Sequence, residues 1–199
     1  MNENHFVWAR SDDPRCSEWE ALGYELVGES WGAHLLITDP IDLSPYAAKV
    51  NKAIKAGVEI RSLMVNDIPD VIQLELENGK DYPFTPATRH SVPTADELKD
   101  LIVSTGAVFG AFIQKRLIGV LATKKNPESV EFEFASISSE YRGKSIASGI
   151  GSYAIIEYVK ESSISFATGG AAVNDSSRGA VESLGFTIDE CWKSYKVPT

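Results

Sequence analysis

The sequence predicts an α/β protein. From residue 58 onward, apolar runs of strand length alternate with segments of helical periodicity. Residues that cap helices or form turns stand at the boundaries between these segments. With 43% hydrophobic and 24% charged residues, the chain of 199 residues can bury one substantial core.

The first elements of this region are marked by their capping residues. A strand is expected over residues 58–64, followed by a helix that Asn66 or Asp67 caps. Residues 79–93 contain three prolines and several polar residues, so they are expected to form a loop. Thr94 and Glu97 then form a capping box ahead of the next helix.

Three strands are expected next, over residues 107–114, 117–123 and 130–137. Lys115 and Arg116 separate the first two, which predicts a hairpin with a two-residue turn. A helix over 145–160, a strand over 164–167, a helix over 176–184 and a strand from Phe186 to about residue 197 complete the chain. Gly185 suits the left-handed position just past a helix end.

The first 57 residues form a separate part, which gives two predicted domains, 1–57 and 58–199. Residues 9–24 align with residues 171–186 at a constant offset of 162, with five identities. An internal repeat and the general chemistry of helix ends both explain this likeness. The predicted strand over residues 25–37 is long and apolar, so its edges should be covered by the main sheet or by a second chain in a homodimer.

Composition excludes several classes of function. The formal charge of −9 argues against nucleic acid, whose phosphates need a basic surface. The apolar runs are too short to span a membrane, and no signal peptide is expected at the N-terminus. Cys16 and Cys191 alone provide no disulfide framework, and the three histidines have no metal or triad spacing. We therefore expect a cytoplasmic protein without a metal.

The turn after the third of these strands is the most informative segment. A strand that ends near Ile137 and a helix that begins near Ser145 leave free backbone N–H groups at the positive end of a helix dipole. Such a turn can hold a pyrophosphate. Gly143 permits close approach of the ligand, and Arg142 and Lys144 add positive charge. The alternative is an ordinary strand-to-helix turn.

This segment resembles the acyl-CoA motif of the GNAT superfamily of N-acyltransferases. That family has Arg/Gln-x-x-Gly-x-Gly/Ala between its fourth strand and the next helix, and this chain has RGKSIA at residues 142–147. The preceding ISSEY and the later Asn174 with LGF at 184–186 are similar to two further family features. The resemblance assigns acetyl-CoA contacts to Ile137, Ser138, Arg142, Gly143, Lys144, Ser145, Ile146, Ala147 and Asn174.

The resemblance implies a mixed, mostly antiparallel twisted sheet with helices on both faces. It also implies an N-acetyltransferase in which an amine attacks the thioester of acetyl-CoA directly, with no metal. Residues 1–57 would then be a truncated second GNAT unit. The sequence leaves the acceptor open. Two rival functions remain: a GNAT-like module that binds CoA without catalysis, and an α/β interaction domain without a CoA site.

Candidate catalytic residues follow from the same resemblance. Glu131 and Glu133 are candidates for the base that removes a proton from the amine, since period-two spacing puts both on one face of the strand. The alternative is an exposed sheet face with no role. The loop that would wall the acceptor pocket contains three candidate substrate contacts, Tyr82, Phe84 and Arg89.

Two positions depart from the family pattern. Ser145 stands where a Gly is usual, which predicts weaker binding of CoA. Val181 stands where many members carry the Tyr that protonates the departing thiolate. Tyr153, Tyr158 or a water would have to replace it, or the activity is slow.

Overall fold

The computed structural model describes residues 6–82 and 91–198. In chain order its strands and α-helices are β1 (Phe6–Arg10), α1 (Pro14–Ala21), β2 (Glu25–Leu36), α2 (Ser44–Lys55), β3 (Glu59–Ser62), α3 (Ile68–Asn78), α4 (Ala95–Asp100), β4 (Gly106–Ile113), β5 (Arg116–Lys125), β6 (Val130–Ile137), α5 (Ile146–Lys160), β7 (Ser165–Ala171), α6 (Asp175–Ser183) and β8 (Thr187–Lys196).

All eight strands form one sheet in the order β1-β8-β2-β7-β6-β5-β4-β3. Neighbouring strands are antiparallel except β6 and β7, which are parallel. The predicted mixed, mostly antiparallel sheet is therefore confirmed.

Helices cover both faces of this sheet, as predicted. Val108 and Phe109 are neighbours on β4 but belong to two different hydrophobic clusters, because successive strand residues point to opposite faces. One cluster includes Ile150 of α5, and the other includes Leu98 of α4. Within the described ranges, no helix is both long and apolar enough to cross a bilayer.

The local signals at the element boundaries mostly hold. The Thr94 hydroxyl accepts from the Glu97 N–H (3.2 Å), and the Glu97 carboxylate accepts from the Thr94 N–H (2.7 Å), so the capping box is confirmed. Gly185 has φ +96°. The hairpin prediction was wrong by one residue, because Gln114 and Lys115 have the positive φ values of the tight turn.

The N-terminal strand β2 lies inside the sheet, between β7 and β8, and pairs with both. This confirms that its edges are covered, and the covering strands belong to the same chain. Trp31 is buried in the main core and its indole N–H donates to the Ala171 carbonyl (3.2 Å). The segments β1-α1-β2 and β7-α6-β8 share one order of elements, and Gly23 and Gly185 follow their helices with positive φ. The repeat and the two-domain division stay predictions.

Helix α2 was missed by the sequence analysis. The Asp42 carboxylate accepts from the Ser44 N–H (2.9 Å) at its start. Its buried Ala53 packs against Gly149 of α5, where an added Cβ would lie 3.2 Å from the Ala53 Cβ. The contact places one end of α2 beside the start of α5, where Lys52 reaches Ser145.

Candidate functional site

Strands β6 and β7 run parallel and then separate. Among the described residues they pair only from Val130 to Phe132 of β6, whereas β6 continues to Ile137 and β7 to Ala171. The Thr168 hydroxyl of β7 donates to the Phe132 carbonyl (3.1 Å) at the point of separation. A wedge-shaped opening is therefore left between the C-terminal halves of the two strands.

The open edge of β6 presents backbone groups to this opening. The Ser138 N–H donates to the Ile118 carbonyl of β5 (2.9 Å). Because consecutive residues direct their backbone groups to opposite edges, Ile137 and Ala135 direct theirs away from β5. The Nε–H of Arg142 accordingly reaches the Ile137 carbonyl (2.9 Å). The N–H groups of Ala135 and Ile137 can thus donate to a carbonyl oxygen placed in the opening.

The turn after β6 leads into α5 with N–H groups that have no acceptor in the described parts of the chain. These belong to Ile146, Ala147 and Ser148, the first residues of a 15-residue helix. Ser145 precedes them in a left-handed conformation (φ 62°), and its side chain makes no capping bond. Gly143 has φ +73°, and an added Cβ there would meet no atom within 4 Å. The turn therefore offers donors, a positive helix end and open space to an anion.

The charged side chains around the turn are not equally available. The guanidinium of Arg142 pairs with Asp81 (2.9 Å), so its charge is already matched within the protein. The Lys144 ammonium lies over a neighbouring tyrosine ring at 5.0 Å from its centre. Lys52 of α2 donates to the Ser145 hydroxyl (3.4 Å). Lys144 and Lys52, rather than Arg142, are thus the cations that can turn toward a phosphate at this end of α5.

Asn174 caps α6, the helix that follows β7. Its Oδ1 accepts from the Ser177 N–H (3.1 Å) and from the Ser176 hydroxyl (2.8 Å). Because β7 ends at Ala171, this cap lies at the same end of β7 as the opening. The capping role is shown, and a contact with the pantetheine arm stays a prediction.

The tyrosines expected to replace Val181 lie elsewhere. Val181 itself is buried in the main core. The Tyr158 hydroxyl is hydrogen-bonded to the Thr123 hydroxyl (2.6 Å), and Thr123 lies opposite Phe132, before the strands separate. Tyr153 packs edge-on against a phenylalanine of β4. The Tyr158 hydroxyl therefore lies away from the opening, and the Tyr153 ring packs on β4.

The two predicted glutamates differ in their surroundings. Glu131 lies in the paired part of β6, and its carboxylate accepts from Asn126 (3.0 Å). Glu133 sits at a bulge, because Thr123 and Ala122 of β5 face residues 132 and 134 and leave it without an opposite residue. The bulge interrupts the regular alternation that the sequence analysis assumed. The Glu133 side chain is exposed, yet partial desolvation, and then the charge of Glu131, raise the pKa of its carboxyl, while Lys124 opposes this rise.

Of the predicted acceptor contacts, Tyr82 is placed by the structure, and Phe84 and Arg89 lie outside the described residues. The Tyr82 hydroxyl donates to the Ala135 carbonyl (3.3 Å) on the open edge of β6. Behind Tyr82 lies Glu75 of α3, which is fully buried and was missed by the sequence analysis. Glu75 occupies a buried position of an amphipathic helix, where an apolar residue is the norm, and that irregularity was the signal that could have found it.

The left-handed conformation of Ser145 gives a first prediction. Ser145→Gly should raise the free energy of unfolding by about 0.5–1 kcal/mol, since an L-residue is strained there and Gly is not. It should also tighten binding of acetyl-CoA by opening the helix start. Ser162→Gly is the matched control, because Ser162 has φ 70° beyond the far end of α5. Urea unfolding and calorimetry should show both variants stabilised and only Ser145→Gly binding more tightly; an unchanged affinity would contradict the expectation.

Comparison with known proteins bears on the fold. No protein-family model matches the sequence, and no curated protein matches it. Solved structures do match. A GCN5-related N-acetyltransferase from Sphaerobacter thermophilus has 12% identity and a TM-score of 0.70, covering 96% of this chain and 58% of its own. A tandem GNAT protein from the clavulanic acid biosynthesis pathway has 19% identity and a TM-score of 0.68, and the match covers 98% of this chain and 64% of that protein.

A third structure, the ribosomal-protein-S18-alanine N-acetyltransferase of Escherichia coli, has 15% identity and a TM-score of 0.54, covering 71% of this chain and 93% of its own. The protein therefore has the GNAT fold, the fold of GCN5-related N-acetyltransferases. It spans 58% and 64% of the two larger structures, so it corresponds to part of each.

Proposed function

We propose that this protein is an N-acetyltransferase that moves the acetyl group of acetyl-CoA to an amine by direct attack on the thioester. The observation that carries the proposal is the wedge between β6 and β7, which ends at the donor-rich start of α5. The wedge would hold a narrow chain such as pantetheine, and the helix start would hold a pyrophosphate. The RGKSIA segment that resembles the GNAT motif lies at this junction.

The donor would be held from both ends. The N–H groups of Ile146 and Ala147 would bind the pyrophosphate, and Gly143 would let the backbone come close to it. The N–H groups of Ala135 and Ile137 would bind the thioester oxygen. They would stabilise the negative charge that develops there as nitrogen attacks, because preorganised donors are most effective on charge that appears in the transition state.

The acceptor must reach the thioester as a neutral amine, because an ammonium has no lone pair. Of the two predicted bases, Glu133 is the better candidate. It lies nearer the opening than Glu131, and its raised pKa brings it closer to the range in which a carboxylate accepts a proton from an ammonium efficiently. Glu131 would act on Glu133 through its charge.

One observation favours the rival function, a GNAT-like module that binds CoA without rapid catalysis. Val181 fills the position of the usual tyrosine with a buried apolar side chain. Such a module would bind acetyl-CoA at the same turn and would fail to transfer the acetyl group.

The two functions are separated by one set of assays. The protein is incubated with acetyl-CoA and each of four amines: spermidine, L-lysine, a peptide with a free amino terminus and an aminoglycoside. Release of free thiol that depends on the amine supports the transferase. A CoA-dependent rise in melting temperature without thiol release supports the binding module. If neither thiol release nor a rise in melting temperature is observed, the protein has the GNAT fold but no CoA site.

A further inference from the structure

A cluster of buried polar side chains lies between α3 and the open half of β6. It consists of Glu75, Asn78, Tyr82 and Ser136. Glu75 has no exposed surface, and Asn78 and Ser136 are 3% and 4% exposed. The Asn78 amide donates to the Ser136 hydroxyl (2.8 Å). A carboxyl group is expensive to bury, and apart from Asn78 the other buried positions of α3 are apolar, so packing alone does not account for Glu75.

The cluster meets the opening at Tyr82. The Tyr82 hydroxyl contacts the Ala135 carbonyl at 3.3 Å and the Glu75 Oε2 at 3.5 Å. Ala135 directs its carbonyl and its N–H to the same edge of β6, so the hydroxyl lies beside a proposed thioester-binding donor. Tyr82 is half-buried and Glu75 lies behind it, which gives an outer hydroxyl and an inner carboxylate.

We propose that Tyr82 and Glu75 form a proton relay for acetyl transfer; this inference rests on the proposed function. When the nitrogen lone pair forms the new C–N bond, the nitrogen becomes positively charged and must lose a proton. That proton passes to the Tyr82 oxygen while the hydroxyl proton of Tyr82 passes to Oε2 of Glu75. The oxyanion re-forms the carbonyl as the C–S bond breaks, the electron pair of that bond leaves with the thiolate, and the thiolate takes a proton from solvent. Glu75 then returns its proton to the Tyr82 oxygen as the Tyr82 hydroxyl gives one to solvent, which restores both residues.

The electrostatics around Tyr82 explain why the relay needs both residues. Burial, and then the charge of Glu75, raise the pKa of the Tyr82 hydroxyl to about 12, against the opposing effects of Ser136 and Arg142. The phenol therefore keeps its proton at physiological pH and cannot act as a base by itself. It can accept a proton only as it gives up its own, and Glu75 lies in position to receive it. Tyr82 is thus the catalytic residue, and Glu75 acts through it.

The relay also separates two proton steps. Glu133 would remove the first proton, the one that makes the acceptor ammonium a neutral amine, and the relay would remove the second. Loss of Glu133 should change the pH profile at low pH, whereas loss of Tyr82 should lower the maximal rate at every pH. Ser136 and Asn78 would hold the inner end of the cluster in place.

The test compares Tyr82→Phe, Glu75→Gln and the double variant with two matched controls. Tyr24→Phe changes a half-buried tyrosine at the other end of the sheet, and Glu77→Gln changes an exposed glutamate of the same helix. With the amine that the wild type acetylates, each single variant should lower kcat by roughly 10²–10³-fold. The double variant should be no slower than the slower single one, because both residues serve one step. Affinity for acetyl-CoA by calorimetry should be unchanged.

A second measurement does not depend on turnover. The absorbance of phenolate near 295 nm is titrated with pH, and the Tyr82→Phe curve is subtracted from that of its parent. The difference should show that the Tyr82 hydroxyl loses its proton at a higher pH than ordinary tyrosines. Glu75→Gln should lower the pKa of the Tyr82 hydroxyl. Two outcomes would overturn the relay alone, provided that the wild type turns over. In the first, kcat of each single variant stays within threefold of the wild-type value. In the second, the effects of the two single substitutions on kcat multiply in the double variant. A wild type that neither binds acetyl-CoA nor releases thiol overturns the proposed function and the relay with it.

Discussion

Deleting residues 1–43 is expected to leave a chain that no longer folds into a soluble monomer. The deletion removes β2 from between β7 and β8 and exposes the edges of both. It also removes Trp31, Leu35 and Ile37 from the main core, at roughly 1.5–3 kcal/mol for each buried side chain. The sum is comparable with the about 5–15 kcal/mol that stabilises a typical domain. Circular dichroism and size-exclusion chromatography would show loss of the cooperative melt and aggregation.

Two tryptophans of the segment provide a graded version of the same test. Trp31 is 4% exposed and its ring lies against Gly170, whereas Trp8 on the edge strand β1 is 66% exposed. Trp31→Ala should lower the free energy of unfolding by about 3–5 kcal/mol. Trp8→Ala should change it by less than about 0.5 kcal/mol. If the truncated chain stays monomeric and melts at the wild-type temperature, and Trp31→Ala behaves like Trp8→Ala, the segment is only a tether.

Glu133→Gln is expected to lower kcat by roughly 10²–10⁴-fold and to remove the acidic limb of the pH profile. In the wild type the rate should fall as pH drops through the pKa of Glu133, because the protonated carboxyl cannot accept a proton. Partial desolvation raises that pKa, so the acidic limb should lie at a higher pH than the usual pKa range of carboxyl groups. The measurement is steady-state turnover from pH 5 to 9 with saturating acetyl-CoA.

The stability of this variant distinguishes a catalytic loss from a folding defect. A raised pKa in the folded state means that folding favours the protonated carboxyl. The contribution of Glu133 to the stability of the fold is complete at pH values below the pKa that its carboxyl has in the unfolded chain. It disappears as the pH rises through the pKa that this carboxyl has in the folded protein. The neutral Gln should therefore melt no lower than the wild type at pH 7. Glu128→Gln, in the exposed turn before β6, is the matched control. Full activity in Glu131→Gln, Glu133→Gln and their double variant would place proton removal elsewhere.

Much of the fold could be predicted because its signals are local. Strand β6 was predicted with its observed ends, and the capping box at Thr94 and the left-handed Gly185 need only a few neighbouring residues to be recognised. The position of β2 could not be predicted in the same way. The sequence shows that its edges must be covered, but pairing with β7 and β8 joins residues far apart in the chain, and no local pattern specifies the partner.

The candidate site likewise has a part that could be predicted from local sequence and a part that depends on the folded sheet. The turn over residues 142–147 lies in one continuous segment, so its glycine, its helix start and its resemblance to a known motif could be recognised together. Glu75 and Tyr82 face β6 from α3 and from the turn that follows that helix, and only the folded sheet brings their side chains to Ala135. The bulge at Glu133 is likewise a property of the pairing between β5 and β6, which depends on both strands.

The assignment of acetyl-CoA to the turn before α5 can be tested by titration calorimetry of acetyl-CoA with the wild type, Gly143→Val and Gly23→Val. Both glycines have positive φ (+73° and +80°) and open space around an added Cβ, so the two variants carry a similar backbone strain. Only Gly143 lies at the proposed pyrophosphate turn, where Val would fill the space needed for backbone approach. Gly143→Ala, with a smaller side chain, covers the case in which Gly143→Val does not fold. We expect one acetyl-CoA per chain for the wild type and for Gly23→Val, and at least tenfold weaker binding for both Gly143 variants. Equal affinity in all four proteins, or no binding to the wild type, would contradict the assignment of the acetyl-CoA site to this turn.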